Sequence, residues 1–331
     1  MIWLKRALTL VAFGVVLYLF WPLIGELRKA ADLFLHAHWG WLAAIFLLQM
    51  LSYSFLTELH LLLLSAFQGK INFWRMMAIL PAMAFIEVAI PSGGTSGLVL
   101  RARLLGKSGF TPEASTFTLL LETVYLGTAM LVLSASGLWY LFHSGEFISR
   151  HTIWLILLAM IVFILLALVL WSGAKRERAI KISLRLANPW NRLAQKLHLK
   201  TASPVEISTR VERFYDGLAH LRHRSQIPFF GVAFIRVFLD IASLGACFLA
   251  FSYTISPGIL LTGYGMMQAL SVLGILPGGL GLADASLAVI YARLGAPGAV
   301  AVAAALAYRL IAYWGLRFIG FITWQILEGK S

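Results

Sequence analysis

Eight charged side chains stand in or beside long apolar runs: Glu87, Arg101, Arg103, Glu122, Arg236, Asp240, Asp284 and Arg309. An ionised group at bilayer depth costs roughly 2.5–3.5 kcal/mol on insertion scales, so each needs a partner or water. Carboxylates there can take up and release a proton, and guanidinium groups can hold an anion through several N–H donors. Arg236 and Asp240 are four residues apart, which puts them on one helix face as an ion pair. Glu122 lies ten residues past Pro112 and Arg309 twelve past Pro297. At about 1.5 Å per residue both sit deep in their spans. Either the two pair with each other, or Arg309 grips a phosphate while a carboxylate takes a proton. Glu87, one turn before a break in the chain, is a second candidate for that proton. Asp284, one turn after another break, either caps a helix or joins the charge coupling.

The breaks are PSGG at 91–94 and PGGLG at 277–281. Proline lacks an N–H and glycine is conformationally free, so helices stop at such runs. Backbone left polar in lipid is tolerated only against protein or a watery cavity. The first break is therefore either a solvent loop or a deliberate interruption within the membrane. In the second case a new helix starts near Thr95 and Ser96, and another near Leu282. Each aims free N–H groups at the bilayer interior, where they suit an anion. Gly93, Gly94, Gly278, Gly279 and Gly281 either admit a headgroup to the backbone or serve close helix packing. Arg101 and Arg103 on the first return arm either collect anionic lipid or anchor the chain at the inner surface.

These groups need a membrane scaffold. Of the 331 residues, 60% are hydrophobic and 12% charged, far from soluble averages. Spans are expected at about 7–24, 39–64, 112–142, 152–171, 228–253 and 297–327. The segments 76–90 and 258–276 end at the two breaks and are too short to cross with their return arms. The basic start is expected to be the first span rather than a signal peptide. Cys247 is the only cysteine, which excludes an intrachain disulfide and a cysteine metal site. Histidines 198, 220 and 223 show no ligand spacing, and no cofactor motif or catalytic triad order occurs. Glu58 and His60 are expected to snorkel to the inner surface. Tyr264 and Gln268 carry no assigned role.

Charge decides the topology. The net charge is +13, but the basic residues follow membrane sidedness and no nucleic-acid groove is implied. Residues 172–226 hold twelve Lys/Arg against four Asp/Glu. If both broken segments are re-entrant hairpins and the N-terminus is inside, 21 of 27 basic residues face the cytoplasm. That count includes Arg101, Arg103, Lys107, Arg317 and the insert. Apolar residues Ile180, Leu184, Ala187, Trp190, Leu193 and Leu197 recur at helical spacing, so the insert reads as amphipathic helices on anionic inner-leaflet lipid, with partner docking as the lesser alternative.

The two broken segments also echo each other. Pro91 to Pro112 is a step of 21 residues and Pro277 to Pro297 one of 20. Each unit is a break, a return arm, a glycine turn and a proline-led span, and the hairpins enter from opposite sides. Inverted units with broken helices are a transporter pattern.

The runs SGGTSGLVLRARLLGKSGFTPEAS, PGGLGLAD, RLGAP and LAYRL resemble the flippase-like family that includes the transmembrane region of lysylphosphatidylglycerol synthase, the multiple peptide resistance factor. Asp284 stands where the family pattern has glutamate. The resemblance covers nearly the whole chain. It implies the lipid-translocating module without the synthase domain, and it leaves the particular lipid open.

The expected protein is thus an all-α polytopic membrane protein, one domain over 1–331. It has six full spans and two re-entrant broken-helix hairpins in inverted repeats, near 76–142 and 258–327. Both termini face the cytoplasm of a bacterial-type plasma membrane. It needs no cofactor or metal, and it handles a lipid with an anionic or polar headgroup. Homo-oligomers and an envelope-lipid enzyme are possible partners. An intramembrane headgroup-modifying enzyme and a non-transporting accessory subunit are the competing readings. Single cysteines placed at 98–107 in a Cys247→Ala background should label from the same face as cysteines in 172–226, as read by a membrane-impermeant maleimide.

Overall fold

The computed structural model describes residues 28–90, 95–145, 184–185, 203–222, 225–273 and 282–328. All regular structure in them is helical. The expected spans at 7–24 and 152–171, both break motifs and most of the insert lie outside the described residues.

The helices are α1 (Trp39–Leu64), α2 (Phe73–Ala89), α3 (Thr95–Gly106), α4 (Pro112–Ser144) and α5 (Pro204–Arg222). Then come α6 (Ile227–Ala250), α7 (Pro257–Leu273), α8 (Leu282–Arg293) and α9 (Gly298–Tyr308). A π-helical stretch, Arg309–Gly315, joins α9 to α10 (Leu316–Glu328) without a break. Among the described residues, four helical segments are long and apolar enough to cross a membrane: Trp39–Leu64, Pro112–Ser144, Ile227–Ala250 and Gly298–Glu328. Their outward faces carry exposed Trp39, Leu47, Trp139, Phe142, Phe238 and Phe318. The interior holds buried Gln49, His60, Arg101, Thr118 and Asp240. A greasy outside around a polar inside suits lipid as solvent.

Local chemistry sets the helix limits. Asn72 accepts the Arg75 backbone N–H at 2.8 Å and caps α2. Pro112 opens α4 at its first turn, and Gly145 closes it with a left-handed φ of 71°, a conformation that favours glycine.

The first broken segment turns back on itself. The α2 and α3 helices pack together, and the Lys70 N–H donates to the Ser108 carbonyl at 3.3 Å. Its mouth lies beside the start of α4, where Phe67 meets Phe117 edge-on at 5.0 Å. The second does the same: α7 packs on α8, and the Tyr291 hydroxyl donates to the Leu260 carbonyl at 2.8 Å. Its mouth lies beside the far end of α4, because a Cβ on Gly258 would meet Tyr140 and Leu141 at 2.6–2.8 Å. The two mouths thus open at opposite ends of α4. The α6 helix runs back along α1, with the His38 N–H bonded to the Ala250 carbonyl at 2.9 Å.

Small residues bring these helices close, the usual means of packing in lipid. Gly137 sits against Leu261 and Thr262 across the α4–α7 contact, and Gly265 against Ser134. Gly320 of α10 packs on the Pro81 carbonyl of α2. Overfilling such a contact costs about 1–3 kcal/mol. Gly320→Val should therefore lower the thermal unfolding midpoint of the detergent-purified protein, measured by intrinsic fluorescence.

Candidate functional site

Asp240 is the best-satisfied charge in the interior. Gln49 Nε2 of α1 donates to its Oδ1 at 2.6 Å, and the Tyr308 hydroxyl of α9 at 2.9 Å. The Tyr264 hydroxyl of α7 donates to Oδ2 at 2.6 Å, and Arg236 Nη1 at 3.2 Å. The Arg236–Asp240 pair expected from the i, i+4 spacing is present. It is one part of a junction that joins α1, α6, α7 and α9. With two oxygens taken by four donors, this carboxylate is spent on structure.

The second group is less complete. Glu122 Oε2 of α4 lies 2.9 Å from His60 Nε2 of α1 and 3.9 Å from Arg101 Nη1 of α3. His60 Nδ1 is 2.8 Å from the Leu56 carbonyl one turn back. Arg101 is 0% exposed, and its Nη2 donates to Thr118 at 2.5 Å. Its Nε and Nη1 have no hydrogen-bond partner among the described residues. A buried guanidinium with open donors is costly and has unspent capacity for an acceptor.

The third group spans the π-helical stretch and the first turn of α10. The Arg309 guanidinium lies 3.9 Å from the centre of the Tyr313 ring and the Arg317 guanidinium 3.1 Å from it. Arg317 Nη1 also donates to the Tyr313 carbonyl at 2.9 Å. Two cations thus share one aromatic ring. The wide π turn sets this alignment, and such turns concentrate at functional positions. Glu87 lies across from them, its side chain resting on Gly97, and it feels the charges of Arg317, Glu122 and Arg101. Tyr53 feels Arg236, Arg317, Asp240 and Glu122. The three groups thus lie within electrostatic reach of one another in the polar interior, on α1, α2, α3, α4, α6, α7 and the last span.

The structure corrects several expectations. Arg101 is not a surface anchor: α3 folds back so that this side chain points at Thr118 of α4. His60 does not snorkel, because its face of α1 is covered and it is 0% exposed. Arg317 is half-buried against the Tyr313 ring, which leaves its side of the membrane open. Arg103 does lie outside, with a side chain 60% exposed, and it pairs with Glu328 at 3.1 Å. Glu122, offered as a partner for Arg309, has His60 and Arg101 beside it. Ser96 turns its hydroxyl to the Ile86 and Ile90 carbonyls at 3.3 and 3.0 Å, closing the end of α2. Thr95 begins α3 as expected. Gly93, Gly94, Gly278, Gly279, Gly281 and the Asp284 side chain lie outside the described residues.

Sequence reasoning missed Gln49, Tyr308, Tyr313 and the partners of His60 and Tyr264. One signal was present: Gln49, Ser52, Tyr53, Thr57 and His60 make a polar stripe at helical spacing along an otherwise apolar span.

An all-helical bundle with apolar flanks and charges locked inside defines a polytopic membrane protein. Residues 6–320 match the model for the lysylphosphatidylglycerol synthase transmembrane region, and the chain belongs to that family. It is 24% identical over 289 residues to a UPF0104 membrane protein of Methanocaldococcus jannaschii, covering 86% of this chain and 83% of that one. It is 24% identical over 258 residues to a UPF0104 membrane protein of Methanothermobacter thermautotrophicus, covering 76% and 74%.

Removing one partner of a buried ion pair costs about 3–5 kcal/mol. A hydrogen bond within a membrane bundle contributes about 0.6 kcal/mol on average. Asp240→Ala should therefore lower the unfolding midpoint in detergent much further than Tyr308→Phe.

Proposed function

We propose that this protein moves a polar or anionic lipid between leaflets, with the headgroup passing through the polar interior. Candidate cargoes are phospholipids and polyprenyl-phosphate-linked lipids. The observation that carries this reading is the charge of that interior. Arg101, Arg309 and Arg317 line it together with the carboxylates Glu87 and Glu122, while Arg236 and Asp240 neutralise each other. Among the described residues these guanidinium groups stand at a depth where an anionic headgroup suits them. Arg101 adds open N–H donors that suit phosphate oxygens,. The family model, which describes the transmembrane region of a lipid-modifying protein, supports a lipid as the guest.

In this reading the hairpins are re-entrant and belong to two inverted units. The chain has six full spans, and both termini face the cytoplasm of a plasma membrane. Broken helices that enter from opposite faces support alternating access, as in secondary transporters. Arg309 and Arg317 hold the phosphate against the Tyr313 ring. Glu87 and Glu122 carry the compensating charge when the headgroup leaves. The basic insert rests on anionic lipid of the inner leaflet.

The test is a leaflet-accessibility assay in proteoliposomes with phosphatidylglycerol bearing a fluorescent headgroup reporter, quenched from outside. The wild-type protein should make the inner pool accessible with no change in the lipid. A hydrogen bond to a charged group is worth about 1.5–3 kcal/mol, so Arg309→Ala and Arg317→Ala should each slow exchange by about tenfold or more. Normal exchange in both variants would remove the clamp from the site. A new lipid product with unchanged sidedness would favour an intramembrane enzyme, and inactivity of the purified protein alone an accessory subunit.

A further inference from the structure

His60 and Glu122 stand close enough to share one proton. The Leu56 carbonyl is an acceptor only, so His60 Nδ1 carries a hydrogen to make its 2.8 Å contact,. The other ring nitrogen, Nε2, faces Glu122 Oε2 at 2.9 Å. Two lone pairs would repel at that distance. Neither atom has another hydrogen-bond partner among the described residues, and a proton on the pair, as imidazolium with carboxylate or as imidazole with carboxylic acid, relieves that repulsion.

Arg101 makes this proton consequential. Its Nη1 is 3.9 Å from the same Oε2, just beyond a hydrogen bond, and has no hydrogen-bond partner among the described residues. While the proton is bound, the His60–Glu122 pair is neutral as a whole and the charge of Arg101 is available to a guest. When the proton leaves to water, Glu122 and the neutral ring repel, and the carboxylate moves the short distance to Arg101. That fills the donors a guest would use. The Glu122 side chain keeps 16% exposure. The other charged groups that act on Glu122 or Arg101 are Arg236 on α6 and Glu87 on α2. Arg236 is already matched by Asp240. Glu87 is the residual influence on the balance.

We propose that the His60–Glu122 pair is a proton site that competes for Arg101 with an anionic headgroup, so that proton and anion bind together. This rests on the lipid-transport reading and supplies its coupling ion. Affinity for an anion then falls as pH rises through the titration of the pair.

The experiment titrates the purified protein in detergent by NMR of ring-labelled histidine, with the His60 resonance assigned by its loss in His60→Asn. Short-chain phosphatidylglycerol is the probe. Reciprocal linkage of about tenfold corresponds to a shift of about one pH unit. Saturating probe should therefore raise the midpoint of the His60 step by about one unit. The shift should vanish in Arg101→Gln and persist in Arg101→Lys, which keeps the charge. Glu122→Gln should abolish the step at His60 while leaving the other histidines unmoved. A midpoint that ignores the probe, or a probe-dependent shift that survives Arg101→Gln, overturns the proposal. The proteoliposome assay separates the two claims. Linked titration without leaflet exchange removes the transport reading alone. Exchange with no linkage removes the proton site alone.

Discussion

A carboxylate out of reach of water must find its hydrogen bonds in the protein, and Asp240 finds four. One comes from its own helix, Arg236, and three from other helices: Gln49, Tyr264 and Tyr308. Hydrophobic attraction does little to hold helices together in lipid, so polar contacts and close backbone packing take that role. The Asp240 junction fixes α1, α6, α7 and α9 at one point. The glycine contacts at Gly137, Gly265 and Gly320 fix the rest. Arg236 is held in the same junction and is matched there.

The remainder of the polar interior differs in kind. Its cations lie against an aromatic ring, a histidine-bound carboxylate and a threonine, and donors of Arg101 are left over. A buried network that is complete adds rigidity, whereas an incomplete one carries a standing cost. The two halves of this interior divide along that line. One is closed and architectural. The other keeps Arg101 donors without a partner among the described residues.

Much of the scaffold was legible because lipid leaves few options. Pro112 marks the first turn of α4, and the arms after the two breaks start at Thr95 and Leu282. Pro-Gly runs have local causes that sequence displays. The packing of each arm against the segment before its break, α3 on α2 and α8 on α7, agrees with the short lengths of those segments. The Arg236–Asp240 pair followed from spacing within one helix. What stayed hidden was partnership across helices. No local feature near Asp240 announces Gln49, 191 residues away. Arg101 looked like an anchor because a basic residue near a loop normally is one; only the packing of α3 against α4 buries it. The π stretch contains no proline and its single glycine ends it, so nothing in its composition disturbs a plain helical reading.

That stretch divides the last span in two. The α9 segment packs on α8 of the second hairpin, and α10 packs on α2 of the first. Between them the winding loosens, and there Arg309 and Tyr313 are displayed, with Arg317 in the first turn beyond. The span is therefore a shaft with a slack coil in its middle, bolted at each end to a different hairpin. A tilt of either hairpin puts torque on that coil, where unwinding or tightening by a fraction of a turn costs least. Arg309 and Tyr313 ride on that coil, and Arg317 stands just past its end.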